Sequence, residues 1–285
     1  MIDLIAKVAA LSHRLFNYQF LRGHIRFLCY HSIMRKNLDE WIPCSTIWAD
    51  IFESHLQYLK NNDIKVLSMP QALEILTGKK ICYERMVCIT FDDGYRNNLT
   101  VAWPLIKSFG YTAHFFLTSD AIGKKEPYNW DLWMKGTKVT SVPDTIPDDS
   151  LPLSEREVSL LSSEDATFGS HGMYHMDLRK LSQRDLKKQI CEPRERIEFL
   201  TKQKINTFAY PFGYYNIEVI KTLRNQNYQW GFSVRAGRNK PGDQQNQYRI
   251  NRTSFTKNGS LHLFKRVISG GYDFIRLKDI FHRAP

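Results

Sequence analysis

Short apolar runs alternate with amphipathic stretches along most of this chain, the pattern of strands and helices taken in turn. The clearest run is 86–91, where Met86, Val87, Cys88, Ile89 and Phe91 predict a buried strand that stops at Asp92, Asp93 and Gly94. Residues 26–30, 64–67, 111–117 and 166–169 predict further strands, with others near Thr207 and Tyr228. Between them, 46–61 carries Ile47, Ile51, Phe52, His55, Leu56 and Leu59 on one helical face. A short helix is predicted over 70–76, with Pro70 at its first turn and Gly78 beyond its end. Another is predicted over 97–109. Capping boxes at Ser154/Glu157 and Ser182/Asp185 open two more, the second running toward Leu200 with Pro193 expected to kink or divide it. Strand and helix in regular alternation imply a mainly parallel sheet, closed or nearly closed into a barrel.

Two segments interrupt this order. Residues 119–153 hold four prolines, two glycines and little periodicity, yet also Trp130, Asp131 and Trp133, and a loop of that length inside a compact domain is more often functional than idle. Residues 235–247 form a second polar loop. No repeat or linker divides the chain, so a single domain over 1–285 is expected. Residues 1–20 place Ile2, Leu4, Ile5, Val8, Leu11, Leu15 and Phe16 at roughly helical spacing. They lack the uninterrupted apolar core of a secretion signal, so docking on the barrel or interfacial contact with a membrane are the readings of this amphipathic helix.

Composition narrows the partners. With 42% hydrophobic residues the chain is a packed globular protein, and its net charge of +11 favours anionic partners such as phosphate-linked glycans or membrane surfaces. No Lys/Arg block is interleaved with aromatics, so nucleic acid is not expected. Five cysteines without Cys-x-x-Cys spacing fit a reduced compartment, which gives a cytoplasmic location, peripheral at the inner face of the membrane if residues 1–20 attach there.

The chemistry collects at strand ends. Asp92 and Asp93 sit where loops leave a parallel strand, the usual place for a site in α/β proteins, although Asp-Asp-Gly alone is also an ordinary turn. Eighty residues on, Ser170, His171, Gly172, Met173, Tyr174 and His175 follow another short strand. Two imidazoles four residues apart can face one point, and with a carboxylate they make a three-ligand metal set with positions left open for water. His31 stands at the end of the first strand, where a structural role is one reading.

At these residues the chain resembles the polysaccharide deacetylases, the NodB-homology domain of carbohydrate esterase family 4. Thr90–Gly94 resembles their Thr-Phe-Asp-Asp-Gly motif, Ser170–His175 their histidine motif, and Phe208, Ala209, Tyr210, Pro211, Phe212 and Gly213 their aromatic-x-x-Pro-aromatic-Gly motif. The resemblance covers roughly residues 25–255. It implies an α/β fold, a distorted, TIM-like (β/α) barrel of about seven parallel strands. It implies a divalent cation, zinc before cobalt, nickel or iron, held by Asp93, His171 and His175, with Asp92 as general base. It further implies oxyanion stabilisation by the backbone N–H of Phe212 and a substrate wall that includes Tyr210, Trp130 and Asp131. The implied reaction is hydrolysis of an N-acetyl group on an amino sugar of a polysaccharide or lipid-linked saccharide. An N-deformylase or an inactive carbohydrate-binding relative are the alternatives. Two departures stand out: Ala209 occupies the position of an arginine that orients the base, and the family's late histidine acid has no counterpart, which leaves His31 as the candidate proton donor.

Overall fold

The computed structural model is built around one fully buried strand, β5 (Met86–Asp93); residues 23–36, 41–80, 85–134, 146–242, 246–256 and 259–271 are described. A strand covered on both faces and both edges has to be apolar throughout. Along one edge of β5 runs β1 (Ile25–Tyr30), and along the other first β4 (Lys65–Val66) and then β6 (His114–Leu117). Outside β1 lies β10 (Arg252–Ser254); beyond β6 follow β7 (Thr167–Ser170), β8 (Thr207–Ala209) and β9 (Trp230–Phe232), every pairing parallel. A parallel bridge between Phe232 and Ile250 brings the approach to β10 against β9. Seven strands therefore come round almost to closure, with β4 as a short addition, which is the distorted (β/α) barrel expected.

Strand alternation sorts the side chains. Leu28, Tyr30, Val87, Ile89, Phe91, Phe115 and Leu117 pack outward in the core shared with the helices, whereas Phe27, Cys88, Phe116 and Phe232 fill a second core inside the ring. Phe232 anchors that inner core, its ring 5.2 Å from both Phe27 and Phe116. Asp92 and Arg252 share the inward parity, and both are buried.

The helices fall between the strands: α1 (Ala49–Asn61), α2 (Met69–Leu76), α3 (Trp103–Ser108), α4 (Asn129–Met134), α5 (Glu155–Ser163), α6 (Gln183–Thr201), α7 (Ile217–Asn225) and α8 (Leu261–Ile268). The Ser154/Glu157 capping box forms as read, and Ser182 accepts from the Asp185 N–H at the start of α6. Three expectations change. Residues 46–48 are a strand, β3 (Thr46–Trp48), pairing with β2 (Ser32–Met34), because β-branched Thr46 and Ile47 find an open edge there before the helix begins. Residues 98–102 form a π-helical turn ahead of α3. Pro193 does not divide α6: it is buried on the same face as Ile190 and Ile197, and packing carries the helix across it. Residues 1–20 and 135–145 lie outside the described residues, as does the side chain of Trp133. No described helix is long and apolar enough to cross a membrane.

Two buried imidazoles brace this framework. His114 lies 2.8 Å from Thr167 Oγ1 and 3.0 Å from Thr207 Oγ1, and His55 stacks on Phe264 at 4.1 Å. Burial lowers their pKa to about 3 and about 4 respectively. A histidine depressed in the folded state binds its proton more readily when unfolded. Its stability contribution is therefore complete above the unfolded value near 6.5 and is lost as pH falls from there toward 4, at up to about 1.4 kcal/mol per pH unit for each group. Unfolding free energy measured between pH 7 and 4.5 should fall more steeply in wild type than in His55→Phe. Equal slopes would show that His55 ionises as easily folded as unfolded.

Candidate active site

Asp93 is where the strand stops. Its φ of 72° takes the backbone out of the extended region, and Gly94 follows at φ 96°, where an added Cβ would meet the Leu117 side chain at 2.8 Å. Strict alternation would send Asp92 into the ring and Asp93 to the opposite face. The positive φ redirects Asp93, so that both carboxylates approach one imidazole. Asp92 Oδ2 is 3.9 Å and Asp93 Oδ1 3.5 Å from His171 Nε2, and Asp93 Oδ1 is 3.7 Å from His175 Nε2.

His171 leaves β7 directly, while Gly172 at φ 81° and His175 at φ 52° bend the segment into a tight loop rather than a helical turn. His171 Nδ1 lies 2.9 Å from the Ala209 carbonyl. A carbonyl only accepts, so Nδ1 carries the proton and Nε2 presents its lone pair to the centre. Burial lowers the pKa of both imidazoles, with His171 and His31 adding to the effect on His175, and the neutral ring is the form that binds metal.

Asp93 has the opposite need. Burial pushes its carboxyl well above the ordinary range, reinforced by the neighbouring Asp92 and Asp131 charges, and Oδ1 is buried without a hydrogen-bond partner. Asp93, His171 and His175 place one ligand atom each within 4.8 Å of one another. Two neutral imidazoles beside a carboxylate short of positive charge fit a divalent cation.

Asp92 is held differently. Burial alone would raise it, but Arg252, then His171, bring it well below the usual carboxylate range. Arg252 donates from both terminal nitrogens, 2.6 Å to Oδ1 and 2.7 Å to Oδ2, in a bidentate pair with neither side chain exposed to solvent. Its Nε donates to the Ser233 carbonyl at 3.0 Å, and the guanidinium lies 5.0 Å from the centre of the Phe116 ring. While Ala209 stands where the resemblance implied an arginine, the Arg252 guanidinium thus reaches Asp92 from β10, on the other side of β1. Its signal in the sequence was slight: an arginine in step with Ile250 and Ser254, on the face of a short strand where an apolar residue would ordinarily stand.

His31 follows β1, and its carbonyl accepts from Asn98 Nδ2 at 2.6 Å. The ring nitrogen Nδ1 is buried and unpartnered, and burial lowers the pKa to about 4, assisted by His171 and Arg252.

Over the site, Trp130 stacks on Tyr128 at 4.4 Å and lies 4.3 Å from the His175 ring, and Phe212, 47% exposed, lies 4.5 Å from His175. Phe212 has φ 58°, and Gly213 after it packs so tightly that an added Cβ would fall 2.3 Å from Val234. Two expected substrate contacts take other places. Asp131 is buried, accepting from Tyr95 Oη at 2.8 Å and from the Cys44 N–H at 2.7 Å, so it anchors the loop behind Trp130. Tyr210 is likewise buried, its hydroxyl donating to the Tyr248 carbonyl at 2.9 Å.

The chain aligns with YxkH of Bacillus subtilis (strain 168), whose name places it among polysaccharide deacetylases, at 26% identity over 210 residues, 74% of this chain and 64% of that one. It aligns with the poly-beta-1,6-N-acetyl-D-glucosamine N-deacetylase of Staphylococcus aureus (strain MRSA252) at 25% identity over 219 residues, 75% of this chain and 69% of the relative. The match to the first relative thus spans just under two thirds of that protein. Among solved structures, the fold superposes on the Streptococcus pyogenes deacetylase PplD in complex with acetate with a TM-score of 0.69 at 20% identity, covering 87% of this chain and 99% of that one. IcaB from Ammonifex degensii gives 0.67 at 20% identity, over 86% and 97%. The polysaccharide deacetylase family model matches residues 79–231, a span that holds both aspartates, both histidines and the Phe208–Gly213 turn, and the chain belongs to that family.

Proposed function

We propose that this chain hydrolyses the N-acetyl group of an amino sugar in a glycan, releasing acetate and leaving a primary amine. The observation that carries the reading is the pairing of an ionised, arginine-held Asp92 with the Asp93–His171–His175 set beside it. When bound by that set, a divalent cation, zinc before cobalt, nickel or iron, supplies Lewis acidity to a water nucleophile and to an amide oxygen. Asp92 takes the proton from the attacking water, and its low pKa keeps it ionised and ready to do so at neutral pH. The new carbon–oxygen bond turns the amide carbon tetrahedral, and the Phe212 N–H, on a backbone turned by its positive φ, is the donor proposed for the oxyanion. His31 is proposed to relay to the leaving nitrogen, as the carbon–nitrogen bond breaks, the proton that Asp92 took from water; neutral in the resting protein, it receives that proton from Asp92 within the turnover.

Phe212, exposed beside His175, offers a ring face that suits a pyranose, and Trp130, stacked on Tyr128 and packed against His175, backs the same wall. The staphylococcal relative's name supports a poly-N-acetylglucosamine chain as substrate, and the net charge of +11 supports a phosphate- or lipid-linked saccharide at the cytoplasmic face of a membrane. Purified protein supplied with zinc or cobalt should release acetate from at least one of a panel of N-acetylglucosamine oligomers and lipid-linked saccharides, leaving amines that label with an amine reagent. Release of formate from N-formyl sugars alone would redirect the reading to a deformylase. Binding of several glycans without release of any acyl group would make the chain a carbohydrate-binding relative.

A further inference from the structure

Beside the Asp93–His171–His175 set lies a second group of donors, of which the proposed reaction uses two. Cys29 Sγ, a ring nitrogen of His31 and a carboxylate oxygen of Asp92 all lie within 4.8 Å of one another. Cys29 Sγ is 3.4 Å from Asp92 Oδ2, and His31 Nδ1 is a buried nitrogen with no hydrogen-bond partner. We propose that Cys29, His31 and Asp92 form a second cation site, selective for a thiophilic divalent ion such as zinc or cadmium. Sulfur, imidazole nitrogen and carboxylate oxygen are a donor set such ions accept, and a triangle of this size needs only a small contraction to meet bonds of about 2.0–2.3 Å.

The charges around the group decide which ions qualify. Arg252 already holds Asp92 and opposes another cation there. On binding, the Sγ–H bond breaks, the proton leaves to solvent and a sulfur–metal bond forms, with no change of oxidation state. The thiolate so created offsets part of the repulsion. An ion that gains little from sulfur, such as magnesium or calcium, has no such compensation and is excluded. An ion seated here would occupy Asp92 and His31 together, so metal in excess of one ion per chain should inhibit. That consequence rests on the deacetylase reading. The binding itself rests on the geometry alone.

The test is cadmium titration of the purified full chain, reading total divalent metal per chain and the ultraviolet charge-transfer band of a cadmium–thiolate bond. Wild type should reach two ions per chain and develop the band. Cys29→Ser, which keeps the side-chain size, should bind one ion fewer and lose it, whereas His175→Ala should lose an ion and keep the band. Saturation of wild type at one ion without a band overturns the proposal, as does a band undiminished in Cys29→Ser. If either variant fails to fold, X-ray absorption of cadmium-saturated wild type still decides, since a sulfur neighbour is required. A chain that binds two ions with the band but releases no acetate would refute the deacetylase reading and leave this site standing.

Discussion

Arg252→Met should reduce turnover by about two orders of magnitude or more, the usual contribution of a positioned general base, while leaving the Asp93–His171–His175 donors in place. Methionine fills similar volume but removes both hydrogen bonds to Asp92, whose carboxylate then sits buried with burial no longer offset by the guanidinium. Breaking a buried pair from one side typically costs about 3–5 kcal/mol, so the variant should also unfold at lower denaturant. Arg252→Lys retains the charge without the two-pronged geometry and should fall between methionine and wild type in turnover. Wild-type turnover in a folded, metal-containing Arg252→Met would remove this arginine from the mechanism.

The same residue marks the boundary of what the chain discloses before it is folded. Asp92, Asp93, His171 and His175 were legible because each pair is close in sequence and follows a short apolar strand, so two local patterns were enough to suggest one site. The barrel was legible for a related reason: a parallel sheet buried on both faces leaves near-continuous apolar runs, and the helices between them leave periodic ones. Arg252 reaches Asp92 from 160 positions away. It does so because β10 pairs with β1 and β1 with β5, a strand order that no local pattern states. A motif written for an arginine on β8 finds Ala209 there and reports a loss, although a guanidinium reaches Asp92 from another strand.

Asp131 and Tyr210, expected at the substrate wall, are instead buried with partners of their own. A polar group beside aromatics in an irregular loop has the composition of a sugar-binding wall, but the same groups satisfy buried backbone and hydroxyl partners, and only the packing tells which. Trp130, one residue from Asp131, lies against His175 while Asp131 points into the loop's interior. Consecutive residues of the short helix α4 point about 100° apart, so Trp130 can face His175 and Asp131 the Cys44 N–H while both reach the Tyr95 hydroxyl. The π-helical turn at Asn98–Ala102 was equally invisible in the sequence, yet it places Asn97 and Asn98 where they hold Ile33 and the His31 carbonyl at the edge of the site.

Asp92→Asn and Asp93→Asn, neighbours of the same chemical type, should fail in different ways. Asp92 has both oxygens engaged by Arg252, so replacing one oxygen with an amide removes the proton acceptor but leaves the Asp93, His171 and His175 donors untouched. That variant should keep bound metal near the wild-type amount and lose about 10²- to 10⁴-fold in turnover. Asp93 has no such partner for Oδ1, which faces both imidazoles at 3.5 and 3.7 Å. Its amide replacement withdraws the only negative charge of the three-ligand set, so metal affinity should fall by at least the 10- to 100-fold that even an outer-sphere partner of such a site commands. Turnover should then return in part as added zinc restores occupancy toward one ion per chain, short of the excess that would fill the Cys29 group, a rescue that Asp92→Asn should not show. Metal content by elemental analysis, measured beside turnover at rising zinc concentration, separates the two. Loss of metal from both variants, or rescue of both by zinc, would mean that the carboxylates share one role.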